Sequence, residues 1–468
     1  MDHRAVGHIL SRSYDYPKPA LMREGLGEAL GKGVLVAEGD IHRRQRRIMN
    51  PCFGTMQIRN LMPIFYTKAF ELRDIWLNEV SGYSGQAEVD VAVWLSRMTL
   101  DVIGLAGFNY NFNSLVEGET NELARAFHDL SAPETPFRLL LKLFKFSQSP
   151  PLVALLNLIP TERRRLEWNN KEVMDRVCEK LVQEKKAALV QEKKDASGNL
   201  LSNKVEERDL LSVLARANLS SDLKGSDRMT DDEMMGQITT MLVAGHDTTS
   251  TSTTWLLFDL AKPDNKPIQD NLRAELLTLS SDEPSMEELN TLPYLDAVIK
   301  ENLRINPVVP RILREAARDN IIPLSVPVMD RKGMERNEIR IGKGDMIAIS
   351  VLAINRDRVV WGDDAHDFSP ERWFNPDTHP RSAEIPGVHS GIMTFISGPR
   401  HCIGYRFALM EVKALVLALL RNIQYSLPVP TLEVVKSTTF VTKPKITTPD
   451  GTTRSYMPLI LQAVGSAD

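Results

Sequence analysis

Apolar residues recur every three or four positions over most of this chain, a spacing that predicts a mainly α-helical fold. A short helix opens it within residues 2–19 and stops at a proline-bounded turn, and a second helix over 41–49 ends near Pro51. Residues 56–130 are mostly helical by period, with two buried segments around 90–95 and 100–103. Glu and Lys or Arg fall four apart through 161–194, which predicts a long exposed helix. A surface loop rich in Ser, Asp, Asn and Gly covers 195–228 and encloses a short helix at 209–217. Thr230-Asp231-Asp232-Glu233 is a capping box, and a long apolar helix follows over 231–260. Two more helices are predicted at 263–279 and 286–304.

Between 307 and 352 the pattern turns β-like at 308–310, 321–323, 339–341 and 346–351. An irregular loop packed on Trp361 and Trp373 follows, and a last strand at 436–441 places Thr439 and Phe440 near a turn. The most apolar stretch is 137–159. Lys142, Lys145, Pro150 and Pro151 interrupt it, so it does not span a bilayer. It reads either as a core helix pair or as a segment that dips into a membrane surface.

The 468 residues are 43% hydrophobic and 25% charged, enough to bury a large core. A net charge of −4 gives no reason to expect nucleic acid. Three cysteines (Cys52, Cys178, Cys402) exclude a disulfide framework and suggest a reducing compartment. No window of 18 uninterrupted apolar residues predicts a transmembrane helix, and no signal peptide is expected.

The candidate chemistry centres on Phe395-Ile396-Ser397-Gly398-Pro399-Arg400-His401-Cys402-Ile403-Gly404. Gly398, Pro399 and Gly404 predict a tight loop, and a helical stripe begins after it at Ala408, Val412, Leu415, Val416 and Leu419. Cys402 therefore stands before a helix N-terminus, where amide N–H groups favour a thiolate. Such a thiolate can be an axial haem ligand. A lone cysteine is more often a buried structural residue. Here the pattern F-x-x-G-x-R-x-C-x-G decides otherwise, because it resembles the haem-binding loop of the cytochrome P-450 family.

The resemblance extends over nearly the whole chain and implies that family's fold: one mainly α domain over 1–468, a small β region, and a haem b between the 231–260 helix and the Cys402 loop. It implies Cys402 as the iron ligand, Phe395 near the sulfur, Gly398 for a bend beneath the haem, Arg400 on a propionate, and Gly404 for close approach of the next helix. Ala244-Gly245-His246-Asp247-Thr248 resembles the oxygen-activation motif, with Asp247 and Thr248 as an acid–alcohol pair that delivers two protons. Alone, its Gly and Thr residues would mark only a helix kink. His42 and Arg46 are four apart on one helix face, like the family's W-x-x-x-R propionate pair, with His42 keeping an N–H donor. Arg43, Arg44 and Arg47 would then face the proximal surface, although a solvated basic face is the usual meaning of such a run. Arg314, or Arg311, is a further propionate candidate. Glu301 and Arg304 form E-x-x-R, and with Arg372 of Pro370-Glu371-Arg372-Trp373 they are expected to build a buried structural network.

The implied reaction inserts one atom of O2 into a small apolar organic substrate. The local phrasing resembles fungal membrane-type members, many of which oxidise terpenoids or other secondary metabolites. No dinucleotide fingerprint occurs, so electrons are expected from an NADPH-dependent cytochrome reductase. Full-length relatives sit on the cytosolic face of the endoplasmic reticulum membrane; the expected start lacks their anchor and first strands, leaving a peripheral or cytosolic chain with membrane contact through 137–159. Two rival readings are a haem-thiolate isomerase or dehydratase, which often loses the acid–alcohol pair, and a shortened chain without catalysis.

Overall fold

The computed structural model describes residues 2–83, 85–120, 122, 125, 162–196, 209–219, 228–375, 380–438, 440–447 and 453–465. The segment 137–159 and Thr439 lie outside them. The longer helices are α1 (His3–Ser11), α2 (Ala20–Leu30), α3 (Gly39–Met49), α4 (Thr55–Gly82), α5 (Val91–Phe108), α6 (Glu162–Ala196), α7 (Leu210–Leu219), α8 (Asp231–Ala261), α9 (Lys266–Leu276), α10 (Pro293–Ile305) and α11 (Tyr405–Leu420). The strands are β1 (Gln86–Asp90), β2 (Arg311–Glu315), β3 (Asn320–Met329), β4 (Glu335–Ile341), β5 (Met346–Ser350), β6 (Ile423–Ser426), β7 (Val435–Thr438), β8 (Thr442–Thr447), β9 (Thr453–Arg454) and β10 (Pro458–Ala463). They pair as β1–β10–β6, β2–β5, β3–β4 and β7–β8–β9, all antiparallel.

Helix α8 is the axis of the helical part and is buried along most of its length. Its start is fixed by the capping box: Glu233 N–H donates to Thr230 Oγ1 at 3.2 Å, and Thr230 N–H donates to Glu233 Oε2 at 3.0 Å. The loop before α3 closes on this first turn, where a Cβ on Gly33 would lie 2.3 Å from the Gly236 carbonyl oxygen. Two glycines facing each other let the two backbones meet. Gln237 Oε1 accepts from Val34 N–H at 2.9 Å beside them.

Four expectations change. The two segments at 90–103 are one helix, α5, because Thr99 back-bonds to the Leu95 carbonyl at 3.0 Å and the period continues through 96–99. The span 286–304 is two helices, Met286–Asn290 and α10, since Pro293 starts a new first turn where its missing N–H costs nothing. Val308-Val309-Pro310 is not a strand, and the β run begins at Arg311. The irregular loop includes a short helix, Arg358–Trp361, with the Trp361 and Trp373 ring centroids 5.5 Å apart.

Helix α5 is long and apolar enough to cross a membrane by composition, but 67% of its window is buried inside the protein. It lies across α8, where Thr99 Oγ1 donates to the His246 carbonyl at 3.0 Å. Helix α11, buried almost all round, packs on α4 through the edge-to-face pair Phe65–Phe407 at 5.0 Å. The loop that carries Cys402 is therefore held between a rigid helix behind it and α1 in front.

Candidate active site

The Cys402 loop is built by backbone contacts. Cys402 N–H donates to the Phe395 carbonyl at 3.0 Å, closing the loop on itself. Gly398 has φ +71, and a Cβ there would lie 2.3 Å from the Leu10 carbonyl oxygen, so both its conformation and its contact with α1 require glycine. Ile396 holds φ +48, which a β-branched residue rarely adopts. Strain of this kind persists only where the surroundings impose it; here Ile396 N–H donates to Met393 O at 2.8 Å and Val388 N–H donates to Ile396 O at 3.0 Å. The Phe395 ring packs between His389, edge to face, and a tilted Tyr405, with centroids 6.1 and 5.9 Å away. Gly404 is not forced by a protein neighbour, for a Cβ there would meet Phe53 at an ordinary 3.7 Å.

Cys402 is enclosed by protein yet keeps open surface, so it forms part of an internal wall. Burial pushes its thiol pKa up, while the Gly404 N–H and the Arg46 guanidinium pull it down less strongly. The helix N-terminus thus does not make a thiolate by itself, as the sequence suggested. A bound metal cation would, because coordination deprotonates a thiol outright.

Around this wall the structure gathers buried basic side chains. His42 and Arg46 share the inner face of α3. Arg46 donates to the His401 carbonyl at 2.7 Å and lies 3.2 Å from His401 Nε2. Burial, then Lys18 and Arg46, pushes the His42 pKa down to about 4, leaving a neutral imidazole with an N–H to give. Arg314 is buried on β2 while Arg311 is exposed. Arg400 reaches Glu38, and its Nε is buried without a partner. Lys18, which the sequence did not single out, pairs with Glu38 at 2.8 Å. Burial and the neighbouring Arg400, Arg314 and Arg23 push the Lys18 pKa down to about 6. Among the described residues one carboxylate, Glu38, is set against the buried Arg46, Arg314 and Arg400 guanidinium groups, so buried positive charge is in surplus. Such a surplus is costly unless an anion completes it. Nothing in the sequence marked Lys18 or Glu38, since neither lies in a motif.

Arg44 does not belong to an outward basic face. It pairs with Glu233 in the α8 capping box, whereas Arg43 and Arg47 are exposed.

Across the wall, Thr248 Oγ1 donates to the Ala244 carbonyl at 2.7 Å, one turn back along α8. Ala244 and Thr248 are only half-buried, which leaves this face open inside the molecule. Gly245 serves helix packing: a Cβ would lie 2.8 Å from Ile103 Cγ1 of α5. Asp247 Oδ1 lies 2.6 Å from Lys443 Nζ of β8, a partner 196 residues away that no local signal could reveal.

The structure brings Glu301, Arg304 and Arg372 together. Arg304 donates to Glu301 through Nε at 2.9 Å and through a terminal nitrogen at 2.7 Å, and Arg372 Nε donates to Glu301 Oε1 at 2.9 Å. Trp373 Nε1 adds a bond to Glu301 Oε2 at 3.0 Å. Arg304 continues to the Asn355 carbonyl at 2.9 Å, and Asn355 in turn holds Met393 N–H at 2.8 Å and Thr394 Oγ1 at 2.9 Å. The network thereby reaches the chain that enters the Cys402 loop.

This arrangement of one thiol on an internal wall, a cationic rim and a threonine-bearing helix opposite agrees with the comparisons. The cytochrome P-450 family model matches residues 1–448. Cytochrome P-450 monooxygenase 205 of Postia placenta is 45% identical over 95% of this chain and 80% of its own length. Cytochrome P-450 monooxygenase 128 of the same fungus is 43% identical over 99% and 83%, and ganoderic acid synthetase of Ganoderma lucidum is 34% identical over 91% and 78%. The chain belongs to the cytochrome P-450 family, a mainly helical monooxygenase fold whose members use a haem-thiolate cofactor, O2 and a redox partner.

The residues present fit a haem. Its iron suits an enclosed thiol, and its two carboxylates suit a rim with surplus buried charge and an orphaned Arg400 Nε.

Proposed function

We propose that residues 1–468 act as one domain that binds haem b, with Cys402 Sγ as axial ligand, and oxidises a small apolar organic substrate: R–H + O2 + 2e⁻ + 2H⁺ gives R–OH + H2O. The observation that carries this reading is the half-open Cys402 wall beneath a cationic rim with too few carboxylates. Lys18, His42, Arg46, Arg314 and Arg400 would hold the propionates, and the bound haem supplies reductive activation of O2. Phe395 and Gly398 shape the loop; Ala244 and Gly404 border the haem face, and Gly245 lets α5 close on α8.

The chain's own residues manage the protons. Thr248 presents its hydroxyl on the open face of α8 and passes protons to oxygen. Asp247, next to it, connects that hydroxyl with the Lys443 side of the protein and so with solvent. The acid–alcohol pair favours oxygenation over isomerisation, which needs no such delivery. Electrons come from an NADPH-dependent flavoprotein reductase, and the setting is the cytosolic face of the endoplasmic reticulum membrane. The substrate belongs to fungal secondary metabolism, a reading supported by the name of the Ganoderma relative. The test is the reduced, carbon-monoxide-bound absorption spectrum of haem-loaded protein. A Soret band in the thiolate position is expected; a band in the imidazole or unligated position would overturn it.

A further inference from the structure

Two turns beyond Thr248 on α8, a separate cleft opens between that helix, the end of α10 and the β7–β8 hairpin. Its walls include Trp255, Ile305, Leu352, Asn306, Thr438 and Lys436. Apolar walls with a few converging polar groups are the usual form of a small-molecule site.

Its polar groups point to the ligand's chemistry. Lys436 is an exposed residue whose ammonium end is recessed: Nζ donates to Asn306 Oδ1 at 2.9 Å and lies 4.7 Å from the centre of the Trp255 ring. Neither partner carries a negative charge. The charged groups that face it are Arg356, beyond the helix Val351–Asn355, and Asp259 and Lys262 at the end of α8. Asp259 is already engaged, pairing with Lys262 and accepting from Asn306 Nδ2 at 2.7 Å. Three cations thus surround one committed carboxylate. The hydroxyls of Thr438 and Thr442 stand 3.0 Å apart at the same rim, and either can donate outward.

We propose that this cleft binds a monocarboxylate with a small apolar body, its carboxylate between the Lys436 ammonium and the threonine hydroxyls and its body against Trp255, Ile305 and Leu352. The site is set apart from Thr248 along the axis of α8. Trp255 stands seven positions beyond Thr248 on the same side of the helix, about 10 Å along α8 at ~1.5 Å per residue, and Thr251 and Ser252 between them are buried. The proposal therefore does not depend on the haem reading.

The test is titration calorimetry of the full, haem-loaded chain with sodium benzoate and with benzamide, its uncharged isostere. Benzoate is expected to bind at least about tenfold more tightly than benzamide. Burial and Arg356 hold the Lys436 pKa at about 8. Benzoate affinity should therefore fall about tenfold or more between about pH 6.5 and about pH 9.5, as the ammonium loses its proton. Lys436→Met should abolish the preference for benzoate. Lys436→Arg should keep it with little dependence on pH, since a guanidinium stays charged. The Soret band should not move during the titration. The proposal is overturned if Lys436→Met retains wild-type benzoate affinity, if benzamide binds equally well, or if benzoate shifts the Soret band in both proteins. It is also overturned if Lys436→Arg loses affinity with pH as the wild type does, a result that stands even where the Met variant fails to fold.

Discussion

Lys443 Nζ sits 2.6 Å from Asp247 Oδ1, tying β8 to α8 one residue before Thr248. The carboxylate proposed to serve Thr248 is thus held from a strand near the far end of the chain. Asp247 is buried and Lys443 only partly accessible, and the pair fixes where the carboxylate is kept. Lys443→Met should lower product formed per NADPH consumed by about threefold, a positioning effect well below the ~100-fold expected when an acid is lost. Hydrogen peroxide should rise in balance, and Lys443→Arg should restore coupling. Thr248→Ala should uncouple more strongly while leaving haem content unchanged. Wild-type stoichiometry in Lys443→Met would show that Asp247 needs no partner.

Cys52 and Cys178 are both buried, and burial pushes each thiol up to about 12, so neither is available as a thiolate near neutral pH. Cys402→Ala should abolish the thiolate-type Soret band of the reduced carbon monoxide complex. Cys52→Ala and Cys178→Ala should retain it. A normal band from Cys402→Ala ends the ligand assignment.

Glu301 is the carboxylate shared by Arg304 and Arg372, and all three are buried. Glu301→Gln leaves the buried Arg304 without an anion, while Arg372 keeps Asp364 at 2.9 Å, and should cost about 3–5 kcal/mol, read from urea unfolding midpoints. Asn355→Leu should keep more of that stability but lower haem uptake, because it cuts the link to Met393 and Thr394. If both variants load haem as the wild type does, the network does not set the Cys402 loop.

Lys18 gives a pH dependence with a definite sign. Its pKa is about 6 in the folded chain against an ordinary 10.5, so the unfolded chain binds the extra proton between those values. Haem-free protein should therefore gain stability as pH rises from about 6 towards about 10, and below about 6 the cost of the buried ammonium is felt in full. The difference between wild type and Lys18→Met isolates this effect. Haem should shrink it, since propionates favour the charged lysine. A difference that does not change with pH would place Lys18 outside the cationic rim.

Much of this was legible locally. Helix α8, its capping box and the Cys402 loop are written in contiguous residues, and the spacing of His42 and Arg46 is enough to put them on one face. The rest was not, because it joins residues far apart. Lys18 and Lys443 meet the site only through tertiary packing, and Glu38 gains its meaning from Arg400. The break at Pro293 was misread because the apolar period continues across it. Arg44 was misplaced because its partner, Glu233, belongs to another helix.

That displacement of Arg44 redraws the surface for an electron donor. Arg43 and Arg47 are four apart on the exposed side of α3. Arg406 is exposed in the first turn of α11, lying 4.5 Å over the Tyr405 ring just after the Cys402 loop. These three basic residues flank the loop on a chain whose net charge is −4. An acidic flavin domain would be drawn to them through its association rate, and the effect should fade as salt screens it. The clean variant is Arg43→Glu with Arg47→Glu. Arg44 is left alone because its loss would strip Glu233 and the α8 cap of an ion pair, and His42 and Arg46 because they are buried on the inner face of α3 and proposed to hold the propionates. Haem content and the unfolding midpoint should stay near wild type. Reduction by an NADPH-dependent reductase should slow by about tenfold or more at low ionic strength, and the gap should close as salt is added. Dithionite should reduce both proteins alike. If reductase-driven reduction keeps its wild-type rate and salt dependence, these arginines form only a solvated face and the donor docks elsewhere.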